Sequence, residues 1–266
     1  MVNDADEIRN WWSTSIIDMS PGKISFRGNE IENLIGNISF PQMIWMMVRG
    51  GLPTNEEASL FEAALVAGVD HGPQAPSIAA ARMAATCGVG INNAMATGIN
   101  MLGDIHGGAG EQCAELFYEI SSRIDNGATF EKAIQEALRE WESGNGKIIS
   151  GFGHRFHKPI DPRAPRLLEL VRLAAKENIV SGKYADIAEA IQSHLSIKKD
   201  IAMNIDGATA VIFCELGFPA PLSRGLFCLS RSVGILSHAW EQIEQGGRNK
   251  GPMPPKYLPK YISKNT

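Results

Sequence analysis

Apolar residues recur along most of this chain at the 3.6-residue spacing of helices. Thr54 with Glu57 three positions later spells a capping box, and Ala58, Phe61 and Leu65 then mark one stripe, so a helix follows the Leu-Pro-Thr of residues 52–54. Phe130, Ile134, Ala137 and Trp141 repeat in the same way before the stop signal Ser-Gly-Asn-Gly. Leu167, Val171 and Ala174 do so after a proline-rich segment, which places a helix on each side of residues 146–162. Gly207 to Leu216 reads as a short apolar helix entered through Asn204 and Asp206 and closed by Gly217 and Pro219. Leu222 to Ile243 reads as a longer one, mostly buried. Period-two alternation is confined to Lys23–Phe26, which with the segment after Gly28-Asn29 predicts a short hairpin or a turn-rich entry. An acidic helix precedes it. The tail from Gly246 to Tyr261 holds too many prolines and glycines for a helix and is expected to wrap over a surface or a neighbouring subunit. With no βαβ rhythm and no internal repeat, the fold class is all-α.

At 266 residues and 44% hydrophobic content, the chain can bury a sizeable core as one large domain or two modest lobes. Its formal charge of -4, with 25 Lys and Arg scattered rather than clustered, excludes the electrostatic footprint of a nucleic-acid binder. The N-terminus opens with acids and lacks the cationic start and apolar core of a secretory signal. No apolar run approaches the roughly 20 residues that span a bilayer. A soluble, cytoplasmic protein without a membrane partner is expected. Cys87, Cys113, Cys214 and Cys228 form no C-x-x-C pair, and reduced, buried thiols are the expectation.

Gly144, Gly146 and Lys147 lack the remaining positions of a phosphate loop, and the Gly88/Gly90 and Gly151/Gly153 pairs lack the third glycine of a dinucleotide fingerprint. Asp70-His71, Asp104-x-His106 and His154-x-x-His157 offer metal-ligand types without ligand spacing, so no metal is expected. What remains is acid/base chemistry on a small molecule. His106 precedes two glycines, His154 follows the Gly151/Gly153 pair, and Asp206 stands at a helix entry. Taken singly, each histidine reads as a loop residue and Asp206 as a helix cap. Taken together they supply two imidazoles able to donate to a developing oxyanion and a carboxylate suited to proton exchange at carbon, while Arg163 and Arg231 can clamp carboxylates.

The stretches GLPTNEEASLFEAAL, DHGPQAPS, HGGAGE, GFGHRFHKPIDPR, NIDGATAVIFCELGFP and LSRSVGILSHAWEQ occur in that order and resemble the corresponding segments of the citrate synthase superfamily. The resemblance implies a mainly α-helical homodimer or higher homo-oligomer with large and small lobes, here 1–107 with 217–266 and 108–216, and an active site between them. It implies that the loop from Gly151 to Arg163 closes over a coenzyme A thioester and a carboxylate substrate. His106 would hold the thioester oxygen as the enolate develops, Asp206 would exchange the methyl proton of acetyl-CoA, and His154 would bind the oxygen that alternates between ketone and alcohol. His71, Arg163 and Arg231 would bind the carboxylates of oxaloacetate, with Arg248 matching an arginine supplied by a neighbouring subunit. Gly151, Gly153 and Lys158 would face coenzyme A, which takes part as substrate and product; no tightly bound cofactor is implied.

Full citrate synthases are generally longer, mostly through N-terminal structure. The size of this chain and its DHGP loop resemble citryl-CoA lyase and the citrate synthase homology module of ATP citrate lyase. The resemblance therefore favours retro-Claisen cleavage of citryl-CoA to acetyl-CoA and oxaloacetate, with a citryl-CoA synthetase as pathway partner. Citrate or 2-methylcitrate synthase, a lyase for another 3-hydroxyacyl-CoA, and a catalytically silent CoA-binding regulatory subunit are the alternatives. Phe156-His157 replaces the commoner Val-Tyr pair, a departure that bears on acyl specificity.

Overall fold

The computed structural model describes residues 4–196 and 201–263, and its contacts divide the chain between Glu62 and Ala63. The first unit holds α1 (Asp4–Trp11), β1 (Ile17–Ser20), β2 (Lys23–Phe26), β3 (Asn29–Glu30), α2 (Ile31–Leu34), α3 (Phe40–Arg49) and the start of α4 (Asn55–Gly68). The three strands form an antiparallel sheet in the order β1-β2-β3, with Ile17 opposite Phe26 and Ser25 opposite Glu30. All four residues of β1 are exposed, so its sequence carries no alternation of buried and bare positions and gave no strand signal.

Arg27 and Gly28 link β2 to β3 with φ of 49° and 84°, the two left-handed positions of a type I′ hairpin turn. A non-glycine residue is disfavoured there, and the Arg27 guanidinium offsets this by donating to Met47 O at 2.8 Å and Ser15 Oγ at 3.0 Å. Ser39 and Gln42 form a capping box on α3. The box expected at α4 is present: Thr54 Oγ1 accepts from the Glu57 N–H at 3.1 Å, and a Glu57 carboxylate oxygen accepts from the Thr54 N–H at 2.8 Å.

The second unit continues α4 and adds α5 (Pro76–Ala85), α6 (Ile91–Asn100), α7 (Ala109–Asp125), α8 (Phe130–Asn145), α9 (Arg163–Lys176), α10 (Lys183–Ser196), α11 (Ile205–Glu215) and α12 (Ala220–Glu244). Helices α5, α6 and α12 pack on one another around Ala75, Ile78, Ala81, Ala94, Ile235 and Ala239. Small side chains let these helices approach closely. A Cβ at Gly98 would stand 2.8 Å from Ile235 Cγ2 and 2.9 Å from Ser77 O. Helix α11 is buried on every side from Gly207 to Cys214 and packs against α7, α9 and α10, so its uniformly apolar sequence is that of a core helix.

Apart from the small sheet, the regular elements of the described residues are helices, as the all-α assignment anticipates, but three details differ from the sequence reading. Helix α8 continues through Gly144 to Asn145 and stops only at Gly146, whose φ of 82° a helix cannot accommodate. Helix α12 is buried on one side only: Leu229, Val233, Leu236, Trp240 and Ile243, spaced four, three, four and three residues apart, are exposed. Of the four free cysteines, Cys113 and Cys214 are buried, but Cys87 is exposed and Cys228 half-buried, because a small apolar neighbourhood in sequence does not decide which face of a helix a residue occupies. The start of the tail is tied down where Asn249 N–H donates to Thr86 O at 2.8 Å and Lys250 N–H to Thr86 Oγ1 at 2.9 Å, at the C-terminal end of α5.

Residues 151–153 run antiparallel to 202–204. Gly153 N–H donates to Ala202 O at 2.7 Å, Asn204 N–H to Gly151 O at 3.0 Å, and Asn204 Nδ2 to Gly153 O at 2.6 Å. The two backbones touch at a pair of glycines, where a Cβ on Gly207 would lie 2.4 Å from Gly151 O and one on Gly151 would lie 2.5 Å from Cys113 Sγ. Because backbone on both sides cannot yield, Gly207→Ala is expected to destabilise the protein by about 2 kcal/mol or more, read from urea melts against the wild type.

Candidate active site

Four segments, each leading into a helix, carry the chemistry: His71 before α5, His106 before α7, residues 151–163 before α9, and Asn204-Ile205-Asp206 entering α11; Arg231 joins them from within α12. Helix N-termini present free N–H groups and partial positive charge, which suits an anionic ligand.

Asn204, not Asp206, caps α11. Its side-chain oxygen accepts from the N–H groups of Asp206 at 2.9 Å and Gly207 at 3.3 Å, so the Asp206 carboxylate is free of the capping role. Burial pushes the Asp206 carboxyl above its ordinary value, and neighbouring Asp161 adds to this, against the opposing pull of Arg231 and Arg163. A carboxyl so placed is a more effective proton donor near neutral pH than an exposed one.

Each candidate catalytic imidazole has one nitrogen fixed by backbone donors. His154 Nδ1 accepts from the N–H groups of Phe156 at 3.0 Å and His157 at 2.9 Å, which assigns its proton to Nε2. His106 Nε2 accepts from the Ser77 N–H at 3.3 Å and lies 3.0 Å from Ser77 Oγ, in the first turn of α5, which assigns its proton to Nδ1. Burial lowers the pKa of His106, His71 and His154 below the ordinary 6.5. Neighbouring basic groups reinforce this: Arg231 at His106; His154, Arg163, Arg231 and His157 at His71; His157 and Arg163 at His154, where Asp161 opposes them. These shifts favour the neutral form of all three imidazoles, which can donate or accept through a ring nitrogen.

His71 Nε2 lies 3.2 Å from His154 Nε2, and His157 joins them with a ring nitrogen within 4.8 Å of both. The separation resembles that of two ligands on a tetrahedral zinc, about 3.3 Å for Zn–N bonds of about 2.0 Å. The polarity is wrong for a metal at all three. A ligating histidine donates its second N–H outward, whereas His154 Nδ1 faces two incoming N–H donors. The pattern instead fits His154 Nε2–H donating to the lone pair of His71 Nε2.

Arg163, the first residue of α9, is held by Asp161 in a forked pair, Nε to Oδ1 at 2.9 Å and Nη2 to Oδ2 at 2.8 Å. Asp161 is 1% exposed and also accepts from the Ile205 N–H at 3.1 Å. Burial would raise its pKa, but the hydrogen bonds and charge of Arg163 outweigh this and leave it lowered. Arg231 is buried, donates through Nε to Gly68 O at 2.9 Å and lies over the Phe227 ring at 4.8 Å. Its charge acts on His71, His106, Asp206 and Asp70 alike. Beside His71, Asp70 accepts from the Gly72 N–H at 3.1 Å and pairs with His238 of α12.

Two cavities open on this cluster. The smaller, of about 330 Å³, is lined by Asp70, His71, Gln74, Phe156, His157 and Arg163 among others; the larger, of about 600 Å³, by Gly153, His154, His157, Lys158, Asp161 and Met203 among others. His71, Arg163, His154, Gly153 and Lys158 thus stand at the cavities, while His106, Asp206 and Arg231 are joined to the cluster through the hydrogen bonds and charges just described. Gly151 is buried against Cys113 and Gly207 and lines neither cavity. Arg248 is exposed beside the Thr86 anchor, at the opposite end of α5 from His106. Sequence reasoning missed Ser77, Asn204 as the cap and Asp161. Only Asp161 had a signal, as the single carboxylate of its segment and two residues before Arg163.

A family profile described as "Citrate synthase, C-terminal domain" matches residues 55–252. A citrate synthase of Saccharolobus solfataricus is 32% identical over 74% of this chain and 51% of its own length. The chain spans about half the length of the curated relatives it matches. Citryl-CoA lyase from Hydrogenobacter thermophilus superposes with a TM-score of 0.83 at 30% identity over 96% of each chain. ATP citrate lyase from Methanothrix soehngenii, in complex with citrate and coenzyme A, shares the fold at 20% identity, with a TM-score of 0.78 over 99% of this chain and 45% of its own.

Asp161→Asn removes the forked pair and is expected to destabilise the protein by about 2 kcal/mol, a buried-pair value discounted for the partial exposure of Arg163. Because the folded pKa lies below the ordinary 3.8, the stability this group supplies is complete above pH 3.8 and is lost as pH falls through the folded value. Urea melts of wild type and variant should therefore converge only below pH 3.8.

Proposed function

Because the chain belongs to the citrate synthase family, we propose that it is a citryl-CoA lyase, cleaving citryl-CoA to acetyl-CoA and oxaloacetate. The observation that carries this reading is the match over 96% of both chains to the lyase from Hydrogenobacter thermophilus. The sequence relatives, at 32% and 29% identity, are named citrate synthases. Their names nevertheless support a synthase as the second reading.

In the proposed reaction the carboxylates of the oxaloacetate half lie near His71, Arg163 and Arg231, and coenzyme A runs past Gly153 and Lys158. The hydroxyl proton passes to the lone pair of His71 Nε2 while His154 Nε2–H holds the same oxygen. The C–C bond breaks, its electron pair enters the thioester, and oxaloacetate leaves as the ketone. His106 Nδ1–H donates to the enolate oxygen, and its neutrality makes it a donor that does not quench the anion outright. Asp206 gives its proton to the enolate carbon and is left as a carboxylate beside Arg231, and proton exchange with solvent resets both groups. Intact His106, His154 and Asp206 argue against a silent regulatory subunit.

The proposed assembly is a homodimer or higher homo-oligomer, supported by the bare stripe on α12, an arrangement suited to packing against another helix. Arg248, remote from the cluster of its own chain, would then serve a neighbour.

Three outcomes are expected. Asp206→Asn should fold normally yet turn over at least about a hundredfold more slowly, because an amide cannot exchange the proton; equal turnover would remove Asp206 from the mechanism. Wild-type protein should release oxaloacetate rapidly from citryl-CoA in a coupled dehydrogenase assay but release little free thiol from acetyl-CoA plus oxaloacetate. Comparable rates in the two assays would favour the synthase. Light scattering should give a dimer or larger, and Val233→Glu with Trp240→Glu should shift it toward monomer.

A further inference from the structure

His157 stands between the two cavities and is the one residue common to the linings of both. Its backbone N–H holds His154 Nδ1 at 2.9 Å. Its side chain has a different relation to the site. The ring packs on that of His154 with centroids 4.4 Å apart and meets the His71 ring edge-on at 6.1 Å. Neither ring nitrogen makes a hydrogen bond to any described residue. A half-buried imidazole aimed between two cavities and lacking a partner is a polar group whose partner has yet to arrive.

The neighbouring donors show what it is needed for. Arg163 has committed Nε and one Nη2 hydrogen to Asp161, so its side edge is occupied and its end edge, Nη1 with the second Nη2 hydrogen, is what remains for a ligand. The Nε2 of His71 faces His154. A carboxylate in the smaller cavity can meet that edge with two of its roughly four lone pairs, which leaves others to be satisfied; Gln74 Nε2 already donates to His71 O at 2.7 Å, and the ring nitrogens of His157 are uncommitted.

We infer that His157 is a substrate-contacting, specificity-determining residue whose imidazole donates to a carboxylate of the dicarboxylate half of the substrate, adding to the grip of the Arg163 guanidinium. The inference rests on the proposed function and adds to it the residue that reads the dicarboxylate. It also separates two consequences of substitution: the backbone N–H that orients His154 survives any side-chain change, so binding falls further than turnover.

The test is calorimetric titration of oxaloacetate, and separately of coenzyme A, into wild type, His157→Phe and His157→Asn. Thermal melts and the kcat and KM for citryl-CoA are measured alongside. A hydrogen bond to a charged group corresponds to roughly tenfold to a hundredfold in affinity. His157→Phe should weaken oxaloacetate at least about tenfold and raise KM more than it lowers kcat. His157→Asn, which keeps a donor, should recover part of the loss, and coenzyme A should bind all three proteins alike. Unchanged oxaloacetate affinity in His157→Phe would overturn the role of His157 and leave the proposed function standing. Parallel loss of both ligands with a lowered melting temperature would make the residue merely structural. A wild type that binds coenzyme A but no oxaloacetate would overturn the proposed substrate and this inference together.

Discussion

One carboxylate, almost sealed from water, holds the site together. Asp161 grips Arg163 at the start of α9 and accepts the backbone N–H of Ile205 at the start of α11. It thereby ties two helix entries that lie more than forty positions apart in the chain to the loop that carries His154. An unpaired charge in that position would be strongly unfavourable, and four donors, three from Arg163 and one from Ile205, are what make it tolerable. The glycine contact between Gly151 and Gly207 then sets how near the two segments come, and the alignment of 151–153 with 202–204 sets their register.

The electrostatics follow from the same arrangement. Arg163 and Arg231 carry the positive charge, and their presence together with burial favours the neutral form of the three imidazoles. Under the proposed function the site would divide its work: guanidiniums supplying charge that does not titrate, imidazoles supplying directed N–H groups, and the half-buried carboxyl of Asp206 supplying an exchangeable proton. Helix α5 takes part through its first turn, where the backbone at Ser77 decides which nitrogen of His106 carries the hydrogen.

Much of this was legible in the sequence, for identifiable reasons. Helices α4, α8 and α9 announced themselves through a repeating apolar face, and α11 and α12 through their apolar runs. Strand β1 did not, because all four of its residues are exposed. His71, His106, His154, Arg163, Asp206 and Arg231 could be singled out as candidates because each stands within a short contiguous motif. The capping of α11 by Asn204 rather than Asp206 was beyond reach, since both residue types cap equally well and only the fold chooses between them. The Ser77–His106 contact joins residues whose positions in the chain share no pattern. The bare side of α12 was hidden for a simpler reason: an apolar residue reads the same whether it faces a core or a partner.

The loop from Gly151 to Arg163 divides into residues of two kinds. Gly151, Phe152 and Asp161 are buried and committed to backbone contacts that admit almost no replacement, whereas Arg155, Phe156, Lys158, Pro159 and Ile160 are exposed. The frozen positions bracket the free ones. Drift can therefore sample new side chains over the mouth of the site while the frame beneath holds its shape, so a scaffold of this kind can acquire a taste for a different acyl group without first having to learn a different way to fold.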